Sequence, residues 1–230
     1  MALRLYDNMD SGNAYKVRLV LAHLGIPFER IELDTDGGET RTAAYLGKNP
    51  NGKVPALEMD DGEVLCESDA ILFYLAEGTP LLPDDKLARA RVLQWMFFEQ
   101  YSHEPYIAVS RHVLKHLALN GERRALVASK RDPGYRALGV MEGHLAARDY
   151  FVAGRFTIAD IALYAYTHVA DEGGFDLSEF PALRAWLDRV AAEPGHIPSP
   201  KPDSVVTRPR SRGTPFGHRP CGSGRSSSET

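Results

Sequence analysis

A segment with two prolines, residues 49–57, constrains the fold of this chain more than any other. It reads Asn-Pro-Asn-Gly-Lys-Val-Pro-Ala-Leu, so a turn comes directly before a short strand. A following proline excludes Val54 from helical backbone angles, and the Val54–Pro55 bond is a candidate for the cis form. Because Pro55 cannot donate to a sheet ladder, we expect Val54 to offer free backbone groups to an extended ligand.

The residues after Pro55 predict a hairpin that leads into a helix. Residues 56–59 and 63–66 are two short strands, and Asp60-Asp61-Gly62 turns the first back onto the second. Glu67 and Ser68 then open a helix. Since the first N–H groups of a helix have no partners within it, Ser68 marks a predicted anion site.

Strand and helix patterns alternate in the first third of the chain. Residues 3–6 and 28–33 alternate as strands, with a helical pattern between them and a short helical stretch before the segment at 49–57. The helix from Ser68 to Ala76 completes the order β-α-β-α-β-β-α, which the thioredoxin-like fold uses. A βαβ opening implies a right-handed crossover and a mixed sheet.

After this region the sequence predicts only helices. One long helix runs from about Leu87 to beyond His116, with a kink at Pro105. A second runs from Pro133 to Arg148, and a last one from Pro181 to Ala192. Between these two, residues 157–160 are similar to a helix-capping box and lead into a helix that is apolar almost all round, which indicates burial.

Composition limits the classes of protein and predicts the domain division. The chain has 230 residues and a net charge of −4, so no general attraction to nucleic acid is expected. It has no run of about 18 apolar residues and no signal-peptide pattern, and Cys66 and Cys221 lie far apart. We therefore expect a cytoplasmic protein with reduced thiols. The predicted divisions are a domain at 1–78, a linker at 79–88, an all-α domain at 89–198 and a disordered tail at 199–230.

Val54-Pro55-Ala56-Leu57 followed by Glu67-Ser68 resembles the glutathione-binding half of the cytosolic glutathione transferases. The resemblance covers roughly residues 3 to 198. It implies a thioredoxin-like N-terminal domain, an all-helical C-terminal domain, a homodimer, and glutathione as co-substrate without a metal. Under this resemblance Glu67 and Ser68 hold the γ-glutamyl end, Val54 pairs with the cysteinyl part beside Pro55, and Lys53 neutralises the glycyl carboxylate.

Residues 11–18, Ser-Gly-Asn-Ala-Tyr-Lys-Val-Arg, resemble the segment that activates the thiol in this family. Ser11 matches the serine-type classes, and Asn13 matches a bacterial class with a Thr-x-Asn pattern. The cysteine of the beta-like classes is absent here. The resemblance implies that Ser11 and Asn13 contact the thiol, whereas a helix cap alone would also explain Ser11.

The electrophile site is expected between the two domains, where such pockets usually occur. His103 and Tyr106 are spaced to share one helix face near Pro105, and Arg111 follows. These three residues are the predicted wall of the electrophile site, and ordinary packing between domains or subunits is the alternative. His112 and His116 have a spacing that can bind metal, but no further ligand completes such a site.

The sequence therefore predicts a glutathione transferase that directs the thiol against small electrophiles. Glutathione-dependent disulfide reduction is one alternative, because the same thiolate can attack a disulfide sulfur. A binding module that keeps the fold without turnover is the other. The electrophile cannot be named from the sequence, and no nucleic-acid or membrane partner is expected.

Overall fold

The computed structural model describes residues 3–199, and within them a four-stranded mixed sheet forms as the sequence predicts. The strands are β1 (Leu3–Asp7), β2 (Phe28–Glu32), β3 (Ala56–Glu58) and β4 (Val64–Cys66). Their order is β2-β1-β3-β4. β1 pairs with β2 in parallel, and the other two pairs are antiparallel. This topology confirms the thioredoxin-like architecture of the N-terminal region.

Three helices accompany this sheet: α1 (Gly12–His23), α2 (Ala43–Leu46) and α3 (Ser68–Ala76). Nine of the twelve residues of α1 are buried, because this helix lies between the sheet and the helical half of the molecule. The N-termini of α1 and α3 carry residues of the candidate active site. Both follow directly on loops that leave the sheet.

Five helices form the second half: α4 (Lys86–Phe98), α5 (Glu104–His116), α6 (Gly121–Leu145), α7 (Ile158–Thr167) and α8 (Pro181–Ala191). The long helix predicted from Leu87 to beyond His116 is interrupted, since a π-helical segment, Glu99–His103, separates α4 from α5. This irregular turn lies just before Pro105, which occupies the first turn of α5. The predicted kink is thus a change of helix type.

The start of α6 corrects the sequence prediction. This helix begins at Gly121, not at Pro133, and Pro133 lies inside it. Asn120 supplies the cap that the prediction missed, since its Oδ1 accepts a hydrogen bond from the Arg123 amide at 2.9 Å. Proline at a first helical position is common, which made Pro133 a misleading start signal.

Helix α7 is the buried helix that the sequence predicts. All ten of its residues are buried, and Thr157 and Asp160 form a reciprocal capping box at its start. The stretch between α3 and α4 contains no helix or strand, and its Leu81 carbonyl accepts from the Ile158 amide at 3.0 Å. The loop that joins the two halves is therefore tied to the central helix.

The predicted tail, from residue 200 on, and Cys221 lie outside the described residues. The domain boundaries at 78 and 89 remain predictions. No helix within residues 3–199 is long and apolar enough to cross a membrane. In the same part of the chain, no group of His, Cys, Asp or Glu side chains is arranged to hold a metal ion.

Candidate active site

Ser11 lies in the loop between β1 and α1 and caps the helix. Its Oγ accepts a hydrogen bond from the Ala14 amide at 3.2 Å. A Cβ on Gly12 would lie 2.5 Å from Cε1 of Tyr166, so the first residue of α1 approaches α7 too closely for a larger side chain. A hydroxyl that accepts at a cap still has its proton to donate. Capping and contact with a thiol are therefore compatible roles for Ser11.

Basic side chains on two helices hold this loop in place. Arg18 on α1 donates to both carboxylate oxygens of Asp7, at 2.6 and 2.7 Å. From α5, Arg111 donates to the Asp10 carbonyl at 2.8 Å and Lys115 to the Asp10 carboxylate at 2.9 Å. The backbone before Ser11 is thus fixed from the sheet side and from the helical half.

Asn13 connects the first turn of α1 to the opposite side of the site. Its Nδ2 donates to Oε1 of Glu104 at 2.8 Å, and its Oδ1 accepts from Oγ of Ser68 at 3.2 Å. These two contacts fix the orientation of the amide. An asparagine amide has two N–H donors, so one remains for a ligand. The structure therefore brings together Asn13 and Ser68, which lie far apart in the sequence.

Glu67 and Ser68 form the start of α3. Glu67 has φ 66° and ψ 117°, a strained conformation for a residue other than glycine, which costs roughly 1–3 kcal/mol. Its side chain is exposed, whereas Ser68 is buried. Strain of this kind persists where the surrounding structure imposes it, and it is concentrated at ligand sites. The exposed Glu67 carboxylate therefore lies beside the N-terminus of α3.

The Val54–Pro55 peptide bond is cis, which confirms the candidate seen in the sequence. The Lys53 carbonyl accepts from the Tyr45 hydroxyl at 2.7 Å and from Asn49 Nδ2 at 2.8 Å, while the Lys53 side chain is exposed. Val54 makes no backbone hydrogen bond with another described residue. Its N–H and C=O are therefore available to an extended ligand.

A buried ion cluster shares Glu104 with the hydrogen bonds of Asn13. The fully buried Lys16 ammonium lies 2.6 Å from Glu99 Oε2 and 3.3 Å from Asp69 Oδ1. It also lies 3.8 Å from Glu104 Oε2. Burial raises the pKa of Glu99 to about 8. Burial opposes the charge of Lys16, but the three carboxylates outweigh it and raise the pKa of this lysine. Lys16 therefore stays charged.

Sequence reasoning missed this cluster, although a signal was present. Lys16 stands in an otherwise largely apolar stretch of α1, from Ala14 to Leu21. A charged group on a helix with so many apolar neighbours must find partners inside the protein, because an unpaired buried charge is very costly. The partners themselves could not be named, since they come from α3, from the π-helical segment and from the start of α5.

His103 does not form part of an open wall, which corrects the sequence prediction. Its side chain is fully buried, and Nε2 lies 3.0 Å from Oγ1 of Thr167. That hydroxyl donates to the Leu163 carbonyl at 2.6 Å, so the His103 ring is the donor in the contact between them. Burial lowers the pKa of His103 to about 3, and the ring is neutral.

Tyr106 and Arg111 also make packing contacts of their own. Successive helical residues differ by about 100°, so Tyr106 points about 200° away from Glu104, the partner of Asn13. Its ring contacts Lys130 on α6, with Nζ 5.5 Å from the ring centroid. Arg111 is buried, clamps the β1–α1 loop and donates to Glu172 at 2.6 Å. The packing alternative accounts for all three predicted residues.

A groove of about 660 Å³ lies between α3 and α4, beside Glu67. Its walls are mostly apolar, and two of its aromatic side chains are largely exposed, Tyr74 at 53% and Phe97 at 67%. Exposed apolar surface of this kind marks an interaction or ligand site.

Comparison with known proteins agrees with the fold. Residues 1–77 match the family model for the glutathione S-transferase N-terminal domain, and residues 94–194 match that for its C-terminal domain. A crystal structure of a glutathione S-transferase from Pseudomonas fluorescens Pf-5 is 52% identical. The match has a TM-score of 0.85 and covers 86% of this chain and 99% of that one.

Two further relatives show the range of proteins that share this architecture. Maleylacetoacetate isomerase from Pseudomonas aeruginosa is 32% identical over 88% of this chain and 99% of its own length. The structure of Ure2p in complex with glutathione is 29% identical, with a TM-score of 0.78, and the match covers 84% of this chain and 96% of that one. The present chain belongs to the glutathione S-transferase family. Its relatives include proteins crystallised with glutathione.

Proposed function

We propose that this chain is a glutathione transferase in which Ser11 and Asn13 stabilise the glutathione thiolate for attack on small electrophiles. The supporting observation is the continuous hydrogen bonding from Ser68 through Asn13 to Glu104, beside the Ser11 cap. It joins the N-termini of α1 and α3, so donors for a thiolate and for a carboxylate lie close together.

Within this proposal each part of glutathione has its own partner in the chain. The first backbone N–H groups of α3, beginning with that of Ser68, receive the γ-glutamyl carboxylate, and Glu67 receives the ammonium beside it. Val54, next to Pro55, pairs its backbone with the cysteinyl part. The exposed Lys53 is free to neutralise the glycyl carboxylate.

The stabilisation of the thiolate can be measured as a decrease in the pKa of the glutathione thiol. An unperturbed thiol has a pKa near 8.5, and each unit by which the site lowers it corresponds to about 1.4 kcal/mol of preference for the anion. The Ser11 hydroxyl, the remaining N–H of Asn13 and the positive end of α1 can all supply this preference.

The deciding experiment is a pH titration of the thiolate absorbance of bound glutathione. We expect a lowered thiol pKa in the wild type and a pKa nearer the free value in Ser11→Ala or Asn13→Ala. The exposed Ser129→Ala on α6 is the matched control and should leave the titration unchanged. An unperturbed thiol in the wild type, with glutathione bound, would favour a binding module without turnover.

Glutathione-dependent disulfide reduction is the second candidate function. The surroundings of Cys66 indicate which thiols such a reaction would use. Burial, followed by the charge of Glu67, raises the pKa of the Cys66 thiol, which makes it a poor nucleophile. A reductase of this kind would therefore use a second glutathione molecule in place of the Cys66 thiol. Parallel assays with a haloarene and with a mixed disulfide of glutathione separate the two candidates.

Substitution of Glu67 by glycine tests its proposed role as the ammonium partner. Glycine adopts positive φ without strain, so we expect the free energy of unfolding to rise by up to about 1 kcal/mol. The affinity for glutathione should fall about tenfold or more, because a charged hydrogen bond is lost. Denaturant unfolding and calorimetric titration measure the two effects.

Glu67→Gln is the matched control for this substitution. It keeps the strained backbone and the side-chain shape but removes the charge, so only the affinity should fall. Wild-type affinity in both variants would contradict the role of the carboxylate.

The apolar groove between α3 and α4 supports a homodimer as part of the same proposal. Phe97→Glu places a charge in this groove, and we expect it to shift the protein toward monomers in analytical ultracentrifugation. Leu126→Glu on α6 is the control, because Leu126 is also exposed but lies outside the groove. A Phe97→Glu protein that sediments like the wild type would place the dimer contact elsewhere.

The same proposal includes a cytoplasmic, detoxifying role and the two-domain division at residues 78 and 89.

The proposal also assigns the electrophile to the side of α5 that carries Glu104. Ala108 and His112 follow Glu104 at intervals of four residues on that side. His112 is exposed there, stacked at 5.3 Å on His116.

A further inference from the structure

Residues 193–197, which follow α8, form a strap on the C-terminal end of α1. His23 is the last residue of that helix, and its Nδ1 lies 2.8 Å from the Pro194 carbonyl oxygen. A Cβ on Gly195 would lie 3.0 Å from Cα of His23. The strap therefore rests directly on the helix.

Two tyrosines hold the far end of the strap. The Tyr15 hydroxyl on α1 donates to the Ile197 carbonyl at 2.6 Å. The Tyr164 ring on α7 meets the His196 ring edge to face, with the centroids 5.4 Å apart. The Tyr15 amide donates to the Ser11 carbonyl at 2.9 Å. The strap thus contacts a residue one turn from the candidate active site.

Three histidines meet at this strap. His23 comes from α1, His168 ends α7, and His196 belongs to the strap itself. The His168 ring stacks on Tyr164 at 4.7 Å and lies 5.2 Å from the ring of Tyr15. The histidines therefore share one small interface with the two tyrosines.

Each of these rings has one buried nitrogen without a hydrogen-bond partner among residues 3–199. These atoms are Nε2 of His23, Nε2 of His168 and Nδ1 of His196. The other nitrogen of His23 and of His168 contacts a carbonyl, which can only accept, so the unpartnered nitrogen carries the lone pair. Protonation would place an N–H there without an acceptor, which is costly for a buried group.

Two carboxylates lie near the rings. Glu193 favours the charged form of His23, and Glu172 favours that of His168. However, Glu172 is already paired with Arg111 at 2.6 Å, and Arg111 opposes a charge on His168. The carboxylates therefore compensate little of the cost of protonation.

The other neighbouring groups add to that cost. His196 opposes a charge on His168, and His23 opposes one on His196. Asp188 acts on the Tyr164 hydroxyl. Burial is the largest effect on all three rings and outweighs the carboxylates, so the pKa of each histidine lies below its usual value of 6.5.

We propose that residues 193–197 are a pH-sensitive strap, held on α1 and α7 at neutral pH and released when His23, His168 and His196 are protonated. Release exposes the rings to water, where they bind protons without penalty. Well above pH 6.5 both forms are neutral, and as the pH falls below 6.5 the released form binds more protons, so release becomes more favourable. At pH 5.5, each histidine that is protonated only in the released form favours release about tenfold. The proposal does not depend on transferase activity.

Hydrogen exchange of the whole protein tests this proposal. Protection is measured by mass spectrometry at pH 7.5 and pH 5.5 and corrected for the intrinsic pH dependence of amide exchange. We expect protection in the strap and at the end of α1 to fall at least tenfold at pH 5.5. Protection in the sheet and in α6 should stay within twofold.

A triple variant removes the titration and keeps the contacts. In His23→Asn and His168→Asn the amide can still donate to the Pro194 and Tyr164 carbonyls, and His196→Gln completes the set. We expect strap protection in this variant to be equal at the two pH values. Should the triple variant fail to fold, His196→Gln alone decides, since this side chain is only partly buried, and it should reduce the pH effect severalfold.

Two further variants separate titration from packing. His112→Asn, at an exposed position on α5, is the matched control and should keep the full pH effect. Tyr15→Phe removes the hydrogen bond to Ile197 but no histidine, so it should lower strap protection about fivefold at both pH values.

Three results would each overturn the proposal. The first is equal strap protection in the wild type at pH 7.5 and pH 5.5. The second is a loss at pH 5.5 that extends equally over the sheet and α6, because that is unfolding of the whole protein. The third is an unchanged pH effect in the histidine variants.

Discussion

Replacement of Lys16 by methionine is expected to lower the free energy of unfolding by about 3–5 kcal/mol at neutral pH, the usual cost of removing one partner from a buried ion pair. Lys16 is fully buried, and Glu99, Asp69 and Glu104 lie within 4 Å of its ammonium. Methionine fills most of the space but leaves these carboxylates without their cation. Denaturant unfolding followed by circular dichroism measures the loss.

The pH dependence of this loss has a definite sign. Burial already raises the pKa of Glu99 from 4.5 to about 8, so the folded state holds a proton that the unfolded chain releases. The associated stability is present below pH 4.5 and is lost as the pH rises through 8. Without Lys16 the pKa of Glu99 rises further, because the cation no longer opposes the effect of burial. The loss caused by Lys16→Met should therefore be smaller at pH 5 than at pH 8.

Two further variants make this prediction specific. Glu99→Gln keeps the shape of the side chain and removes its titration, so it should flatten the change in stability between pH 5 and pH 8. Lys86→Met removes an exposed lysine at the start of α4 and should change stability by no more than about 0.5 kcal/mol. A loss in Lys16→Met that is the same at both pH values would exclude uncompensated carboxylates as its cause.

Asp160→Ala is expected to lower the free energy of unfolding by about 3 kcal/mol, since it leaves several buried donors without an acceptor. Asp160 Oδ1 accepts from the Phe151 amide at 3.2 Å and from Trp186 Nε1 at 3.0 Å. Its Oδ2 accepts from the amide and the hydroxyl of Thr157, at 2.9 and 3.0 Å. The loss of a helix cap alone would cost only about 1 kcal/mol.

Comparison with Thr157→Ala separates the cap from the other contacts. Thr157→Ala removes the capping hydroxyl but leaves Trp186 and Phe151 bonded to Asp160, so we expect a loss of about 1 kcal/mol. Asp132→Ala, at an exposed position on α6, is the control for removal of a carboxylate. Equal losses in Asp160→Ala and Thr157→Ala, both measured by denaturant unfolding, would show that capping is the whole contribution of Asp160.

Features specified by neighbouring residues could be predicted from the sequence. The cis bond before Pro55, the hairpin after it and the capping box at Thr157 each depend on residues within a few positions of one another. The same holds for the start of α3 at Ser68. For this reason the mixed sheet and the two helix N-termini that frame the site could be predicted.

Features that depend on distant partners could not be predicted. The partners of Lys16 and Arg111 come from remote parts of the chain, with Asp10 more than a hundred positions from Arg111. The interruption of the long helix could not be predicted for a second reason. A π-helical turn holds one extra residue and rotates the subsequent residues by about 100° relative to a continuous α-helix. The segment Glu99–His103 introduces such a change of phase, and sequence periodicity gives no sign of it.

The clamp on the β1–α1 loop has a consequence for chimeric proteins. Arg111 and Lys115 hold Asp10, and Glu104 orients Asn13, so α5 supplies much of the scaffold for the first loop of the sheet. An exchange of the helical half for that of a relative would remove this support. Transplanting substrate preference into this chain therefore requires that those three α5 side chains be retained in the donated half.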